Sequence, residues 1–324
     1  MKSLALITNV DDMPQLLKRL ENDFRVHYRP DCSAEDFESL SNEINVIFTN
    51  PNNLKFPFDK TKINFFPNLE VIVTASTGTV HIDTDFCMEK GIEVISIKDE
   101  LATLERISST AEHAVLLTLM AIRKTFLSVG SVWKNEWDYS PFIGRQINCL
   151  KVGTVGYGRL GKIYLRAMEG MGAECCFYDP YVHESEGHSI KISLEEMFQT
   201  CDVVAVNCHV SRETTNLVNY ELLSNSSVKV LVNTARGEIV DNPSILQRLS
   251  EDNGFTFATD VLPEEQDHNI RNELIELFRP FSSQVILTPH QGGMTFDARA
   301  IAYSKAADLL SIWLQKSTAG RVSD

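Results

Sequence analysis

KVGTVGYGRLGKIYLRAMEGMGAECCFYDP, residues 151–180, decides how the rest of the chain is read. An apolar run with Val152 and Val155 enters a turn carrying Gly156, Gly158 and Gly161. An amphipathic segment follows to Met171, and a second apolar run ends in Asp179. Strand, glycine turn, helix, strand and acid in that order describe a dinucleotide-binding unit. Gly156 permits the tight turn, Gly158 lets backbone approach a pyrophosphate, and Gly161 lets the helix pack close to the strand. The phosphates would sit at the helix N-terminus, whose free amides and dipole favour anions. Asp179 would accept hydrogen bonds from an adenosine ribose and repel a 2'-phosphate, which selects NAD over NADP. A bare glycine pattern also occurs in ordinary tight loops; the flanking strand, helix and acid set this one apart.

Upstream, short apolar runs at 4–8, 24–28, 46–49, 71–75 and 93–97 alternate with helical patterns at 14–20, 34–40 and 84–90. Such alternation predicts a parallel sheet covered on both faces, a separate and smaller α/β domain with its hinge near residue 101. Ser108, Ser109 and Thr110 are capping candidates for an apolar helix expected to run to about residue 129. Trp133, Trp137 and Phe142 follow in a long connection and read as core or interface packing. Downstream, runs at 203–207, 228–233, 255–259 and 285–288, with a helical spacer at 244–249, complete a doubly wound sheet. Residues 295–316 predict a long amphipathic helix with Ala298, Ile301, Ala302, Leu309 and Ile312 available for one face.

A chain of 324 residues exceeds the size at which one core keeps growing, so two domains are expected. Its net charge of -14 disfavours nucleic acid and anionic membrane surfaces as partners, because both would be repelled. The seven cysteines are an odd number without C-x-x-C spacing, which reads as reduced core thiols in a cytoplasmic protein and calls for no metal. The first apolar run is too short for a signal peptide, and no stretch is long and apolar enough to span a bilayer.

Ligands of open parallel sheets bind at the carboxyl ends of the strands, so the polar residues after each apolar run are the candidates for a site. After Val232 comes NTARGEIVD with Arg236; after Thr259 comes DVLPEE with Asp260, Glu264 and Glu265; after Leu287 comes TPHQGGMT with His290. Taken singly, each is as readily a surface charge or turn residue. Together they suit reduction of a 2-keto acid. A guanidinium, Arg236, holds the carboxylate bidentately. An imidazole, His290, supplies the proton to the carbonyl oxygen as hydride arrives. A carboxylate on the other ring nitrogen would hold the tautomer and favour the proton-donating form, a role assigned to Glu265 with Glu264 as the alternative.

These residues resemble the D-isomer-specific 2-hydroxyacid dehydrogenases, a family that includes phosphoglycerate dehydrogenases and glyoxylate or hydroxypyruvate reductases. VGTVGYGRLGK is similar to its nucleotide signature, VNTARGEIVD to its arginine signature, FATDVLPEE to its glutamate signature and TPHQGGMT to its histidine signature. ASTGTVHID resembles the substrate loop and STAEHAVLL the start of the linking helix. The resemblance implies an α/β chain with a doubly wound parallel-sheet (Rossmann) NAD-binding domain over 102–295. A smaller flavodoxin-like substrate domain would be discontinuous, over 1–101 and 296–324, with the active cleft between the two. It further implies catalytic Arg236, Glu265 and His290, with Ser76, Thr77 and Gly78 offering backbone amides to the substrate carboxylate. Cofactor contacts would come from Gly156, Gly158, Arg159, Leu160, Gly161, Asp179, Thr214, Thr234, Ala235 and Asp260, with Gly292 and Gly293 near the nicotinamide. A homodimer would form through the cofactor domain.

The chain departs from the family pattern at several places. Asn207 and His209 stand where many members have histidine and proline, Gln266 follows Glu265 where proline is usual, and Thr74 replaces an arginine before the substrate loop. Lys55 is the lone cation in FTNPNNLKF, which disfavours a phosphorylated substrate, and no regulatory domain of the longer relatives is expected after Asp324. The leading expectation is an NAD-dependent oxidoreductase acting on a small D-2-hydroxy acid or its keto form. An NAD(H)-sensing interaction protein similar to the family's corepressors is the alternative. Formate oxidation is disfavoured by Glu265, since the formate enzymes resemble a glutamine–histidine pairing instead.

Overall fold

The computed structural model describes residues 1–30, 32, 36, 39–51 and 58–319. Lys55 and most of the helix expected over 34–40 lie outside the described residues. The chain forms two compact units, Met1–Ile107 with Met294–Asp324, and Ser108–Gly293.

The first unit begins β1 (Ser3–Leu6), α1 (Pro14–Asp23), β2 (Arg25–Tyr28) and β3 (Ile44–Thr49), and continues α2 (Lys60–Asn64), β4 (Val71–Thr74), α3 (Thr84–Glu89), β5 (Glu93–Ile95) and α4 (Leu101–Leu104). All strand pairs are parallel, in the order β2-β1-β3-β4-β5, the flavodoxin-like order expected. Because side chains alternate across a strand, each apolar run supplies two cores. Leu4, Val46 and Val71 form one row and Leu6, Phe48 and Val73 the next, both on the same face. Ala5, Ile47 and Ile72 face the other way, among Phe58, Ile63 and Cys87. Each such Leu, Ile, Val or Phe side chain, removed from water, contributes about 1.5–3 kcal/mol.

The second unit opens with α5 (Ser109–Ile122) and α6 (Thr125–Val132), then β6 (Lys151–Val155), α7 (Arg159–Gly170), β7 (Glu174–Tyr178), β8 (Ile190–Lys191) and α8 (Leu194–Thr200). It continues β9 (Val203–Val206), α9 (Tyr220–Ser224), β10 (Val230–Asn233), α10 (Asn242–Glu251), β11 (Thr256–Thr259), α11 (His268–Phe278) and β12 (Val285–Leu287). The seven-stranded parallel sheet runs β12-β11-β10-β9-β6-β7-β8, so strand order reverses beside β6, where the doubly wound fold puts its ligand crevice. Val152, Phe177, Val203 and Val232 face α5 and α7; Val155, Val204, Leu231 and Phe257 face the opposite core with Met197, Ile245 and Phe278.

The apolar helix expected to reach residue 129 is broken. Lys124 takes a left-handed φ of 50°, and α6 leaves α5 at 65°. Neither glycine nor proline marks the break in sequence. The returning chain coincides with it: Gly144 lies so close to the Ile122 carbonyl that a Cβ there would stand 2.2 Å from the oxygen. Trp133 and Trp137 are not core residues, since they are 84% and 90% exposed in this chain.

The chain re-enters the first unit with α12 (Phe296–Ala319). Its buried side chains are Ala298, Ala302, Tyr303, Ala306, Ala307, Leu310 and Trp313, while Ile312, expected on the same face, is exposed. Small residues let the helix lie close to the sheet, with Tyr303 against Phe48 and its hydroxyl on Thr8 Oγ1 at 2.8 Å. Arg299–Asp12 and Lys305–Glu100 pairs flank it. α4 packs on α12, and Leu104 joins that core, so the change of unit falls after Ile107. No single helix among the described residues is long and apolar enough to cross a membrane.

Candidate active site

Two of the three glycines after β6 meet the geometric demands placed on them. Gly156 has φ of 95°, and a Cβ there would stand 2.7 Å from Cys208 N. A Cβ on Gly161 would meet Gly156 O at 2.1 Å, so α7 can approach the turn only without a side chain. Gly158 is different: a Cβ there would have no neighbour within 4 Å. Arg159 and Leu160 follow in the first turn of α7.

Asp179 stands at the end of β7. Its Oδ2 accepts from Tyr157 N at 2.9 Å and its Oδ1 from Tyr181 N at 2.9 Å, which fixes the carboxylate beside the glycine turn. Tyr157 stacks on Phe177 with ring centroids 3.8 Å apart. Asn207, at the end of β9, donates from Nδ2 to Thr154 Oγ1 at 2.9 Å and so ties β9 to β6 under the turn. His209 is exposed. Thr214 donates to His209 O at 2.7 Å and accepts from Ser211 N at 2.7 Å, organising its own loop.

Three strand ends carry the polar groups singled out in the sequence. After β10, Asn233 Nδ2 donates to Arg236 O at 2.9 Å and its Oδ1 accepts from Ala235 N at 3.0 Å, so one buried amide shapes the turn that presents Arg236. Gly237 must follow, because a Cβ there would stand 2.0 Å from Leu262 C. After β11, Asp260 is 2% exposed and serves the loop after β12: its carboxylate accepts from Thr288 Oγ1, Gln291 N and Gly292 N, and His113 Nε2 lies 3.4 Å away. Burial works against ionisation of Asp260, but the hydrogen bonds from His113, Thr288, Gly292 and Gln291 outweigh it and hold the carboxyl below the usual range. Gly293 lies exposed beyond this anchored stretch.

After β12, His290 sits in the left-handed region at φ 51°, held by its N–H to Asp260 O at 2.8 Å. Histidine is among the few non-glycine residues found there, and such strain collects at functional sites. Its Nδ1 pairs with Glu265 Oε1, the two side chains being 29% and 20% exposed. Glu264 is not the partner; its φ of 48° turns it away, and its N–H donates to Glu238 Oε1 at 3.2 Å. The loop keeps its shape without the usual proline, through Arg271 Nη1 on Glu265 O at 2.6 Å and Asp267 N on Glu264 O at 2.8 Å. The second unit thus gathers Arg236, Glu265, His290, Asp260 and the glycine turn at the carboxyl ends of one sheet. In the first unit, Ser76, Thr77 and Gly78 likewise follow the carboxyl end of β4, and their N–H groups donate to no acceptor among the described residues.

A family model for the D-isomer specific 2-hydroxyacid dehydrogenase NAD-binding domain matches residues 115–292. The chain belongs to this family. The D-3-phosphoglycerate dehydrogenase of Mycobacterium bovis is 29% identical over 252 residues, covering 76% of this chain and 46% of that protein, so the chain spans about half the length of that relative. The glyoxylate reductase of Pyrococcus furiosus is 28% identical over 308 residues, covering 91% of this chain and 88% of that one. The D-lactate dehydrogenase of Aquifex aeolicus, solved with NAD and lactic acid, shares the fold with TM-score 0.78 at 22% identity over 98% of this chain and 97% of that one.

The cofactor of the second unit is NAD, and its residues fit that group. Open space above Gly158 leaves room for a pyrophosphate at the N-terminus of α7. Thr234 Oγ1 and Asn207 Oδ1 are buried without a hydrogen-bond partner among the described residues, at the ends of the two strands beside β6 and β11. Sequence reasoning missed His113; its one signal was an imidazole inside the apolar run of α5.

Proposed function

We propose that this chain is an NAD-dependent oxidoreductase acting at C2 of a small D-2-hydroxy acid or its 2-keto form. The Glu265–His290 pair at the end of β12, on the family's NAD-binding domain, carries the reading. NAD, when bound, supplies or accepts the hydride. Arg236 holds the substrate carboxylate through its guanidinium and polarises the adjacent carbonyl. With Nδ1–H donated to Glu265, Nε2 is the atom of His290 that gives the proton to the carbonyl oxygen during reduction and takes it back during oxidation. Keto acid, hydride and proton together give the hydroxy acid, so atoms and charge balance. Asp260 positions His290 by anchoring Thr288, Gln291 and Gly292. The loop of Ser76, Thr77 and Gly78 is the first unit's contribution, offering amides to a carboxylate. Asp179 meets the ribose and excludes a 2'-phosphate, while Gly156, Gly158, Arg159, Leu160, Gly161, Thr214, Thr234, Ala235 and Gly293 line the rest of the cofactor's path.

The first unit serves as the substrate-binding domain. The protein works in the cytoplasm, away from nucleic acid and membrane, in keeping with its free cysteines and its charge of -14. It acts as a homodimer through the exposed apolar residues of the second unit, among them Val129, Val132, Trp133, Trp137, Tyr139 and Ile143.

NADH oxidation against glyoxylate, hydroxypyruvate, pyruvate, branched, dicarboxylic and phosphorylated 2-keto acids, with NADPH in parallel, tests the reading. Turnover with NADH that falls by about 10²-fold or more in Arg236→Ala supports it. NADH binding with no turnover across the panel replaces it with dinucleotide sensing.

A further inference from the structure

The end of β4 holds a chain of hydrogen bonds that runs in one direction. Ser76 Oγ donates to Gly78 O at 2.7 Å, Thr74 Oγ1 lies 2.9 Å from Ser76 Oγ, and His81 Nε2 lies 3.1 Å from Thr74 Oγ1. Thr74 is 0% and His81 3% exposed, so water does not reach these two, while Ser76 is half-buried. A carbonyl oxygen only accepts, which commits the single hydroxyl proton of Ser76 to Gly78. Ser76 Oγ must then accept the proton of Thr74; if Thr74 donated to His81 instead, two hydroxyl oxygens would face each other at 2.9 Å with no proton between them. Thr74 Oγ1 is left as an acceptor, and His81 must carry its proton on Nε2. The order is imidazole N–H to Thr74, Thr74 to Ser76, Ser76 to the Gly78 carbonyl.

The far end is anchored through the main chain. Phe58 N donates to His81 O at 2.8 Å, Ile82 forms a parallel bridge with Phe58, and Asp83 caps α3 by accepting from Phe86 N at 3.0 Å. His81 therefore stands on a fixed support, while Ser76 and Gly78 belong to a loop whose amides have no acceptor among the described residues.

We propose that His81 is a positioning residue which, through Thr74 and Ser76, sets the curvature of the 76–78 loop so that its amides converge on the substrate carboxylate. This rests on the substrate reading given above for that loop. The relay touches no reacting atom; it keeps three N–H dipoles aimed at one anion, which raises affinity for the keto acid in ground and transition states alike.

Three variants test it: the isosteric Thr74→Val, which breaks the relay with minimal change of shape, His81→Phe, and His81→Gln, whose terminal amide can still donate. Expected are KM values for the best 2-keto acid raised about ten-fold in Thr74→Val and His81→Phe, the worth of one neutral hydrogen bond, with kcat within about two-fold. His81→Gln should recover most of that affinity, and the NADH dissociation constant should stay unchanged in all three. Amide exchange across residues 76–79, measured by hydrogen–deuterium exchange, should quicken in Thr74→Val while the strands keep their protection. Unchanged exchange in folded Thr74→Val overturns the relay whether or not a substrate is known. Faster exchange with an unaltered KM overturns its role toward substrate while leaving the oxidoreductase reading intact. Failure of the unmodified protein to reduce any keto acid removes both that reading and the substrate role.

Discussion

Placing a methyl group on Gly158 and on Gly161 should separate cofactor binding from folding. In Gly158→Ala the new Cβ meets no atom within 4 Å, and the residue's φ of −78° suits alanine. Two small terms oppose each other. Less freedom in the unfolded chain stabilises by about 0.4–1 kcal/mol, and loss of a favoured N-cap residue costs a similar amount. The melting temperature should therefore move by no more than about 2–4 °C, the equivalent of ~1 kcal/mol in a unit of this size. The methyl would occupy the space through which the pyrophosphate approaches the amides of α7. Losing one or two charge-assisted hydrogen bonds, each worth about 1.5–3 kcal/mol, weakens NADH binding at least ten-fold. In Gly161→Ala the Cβ would stand 2.1 Å from Gly156 O, so α7 and the turn must move apart by about 1 Å, an overpacking that costs about 1–3 kcal/mol. That variant should lose stability and NADH affinity together. Thermal melts and NADH fluorescence titrations on the same preparations decide the matter. Gly158→Ala binding NADH as tightly as the unaltered protein would refute the assignment of that space to the pyrophosphate.

Glu265→Gln removes the negative charge beside His290 Nδ1 while keeping side-chain volume, so kcat should fall about 10²-fold with NADH affinity preserved; an unchanged kcat would take Glu265 out of the mechanism. The carboxyl of Asp260 is held below its unfolded value near 3.9, so its contribution is complete above that pH and fades as pH falls through the lower folded value. Asp260→Asn should thus melt below the unaltered protein at neutral pH, with the gap closing below about pH 4, and a gap independent of pH would contradict the ionised anchor. Trp133→Ser with Trp137→Ser should shift the sedimentation profile from dimer to monomer without lowering helical content, and a dimer that survives would move the interface elsewhere.

The sequence by itself determined the two parallel sheets and where their strands end. Runs of four to six residues that are buried almost throughout and mostly apolar, such as those of β3, β4, β9 and β10, have few other ways to satisfy both faces of a parallel sheet. The polar residue after each run then marks the carboxyl end of its strand, where Arg236, Asp260 and His290 stand, and it was the three together, none of them singly, that suggested a site. The glycine spacing was legible too, because Gly156 and Gly161 each answer a steric demand that only glycine meets.

Tertiary structure decided what depends on distant chain. The helix expected to reach residue 129 ends at Ile122, where Gly144 returns onto its last carbonyl, a contact no local pattern announces. Ile312 and Trp313 are neighbours in an apolar helix, and only the shape of the sheet beneath α12 buries one and exposes the other. Glu264 and Glu265 are chemically alike; a left-handed turn at the first gives His290 to the second. His113 reaches Asp260 from the start of α5, and His81 reaches Ser76 through Thr74. Residue type and spacing fix what a side chain can donate or accept; only the packed chain fixes the partner, because hydrogen bonds form over about 3 Å and the sequence does not state which distant atoms come that near.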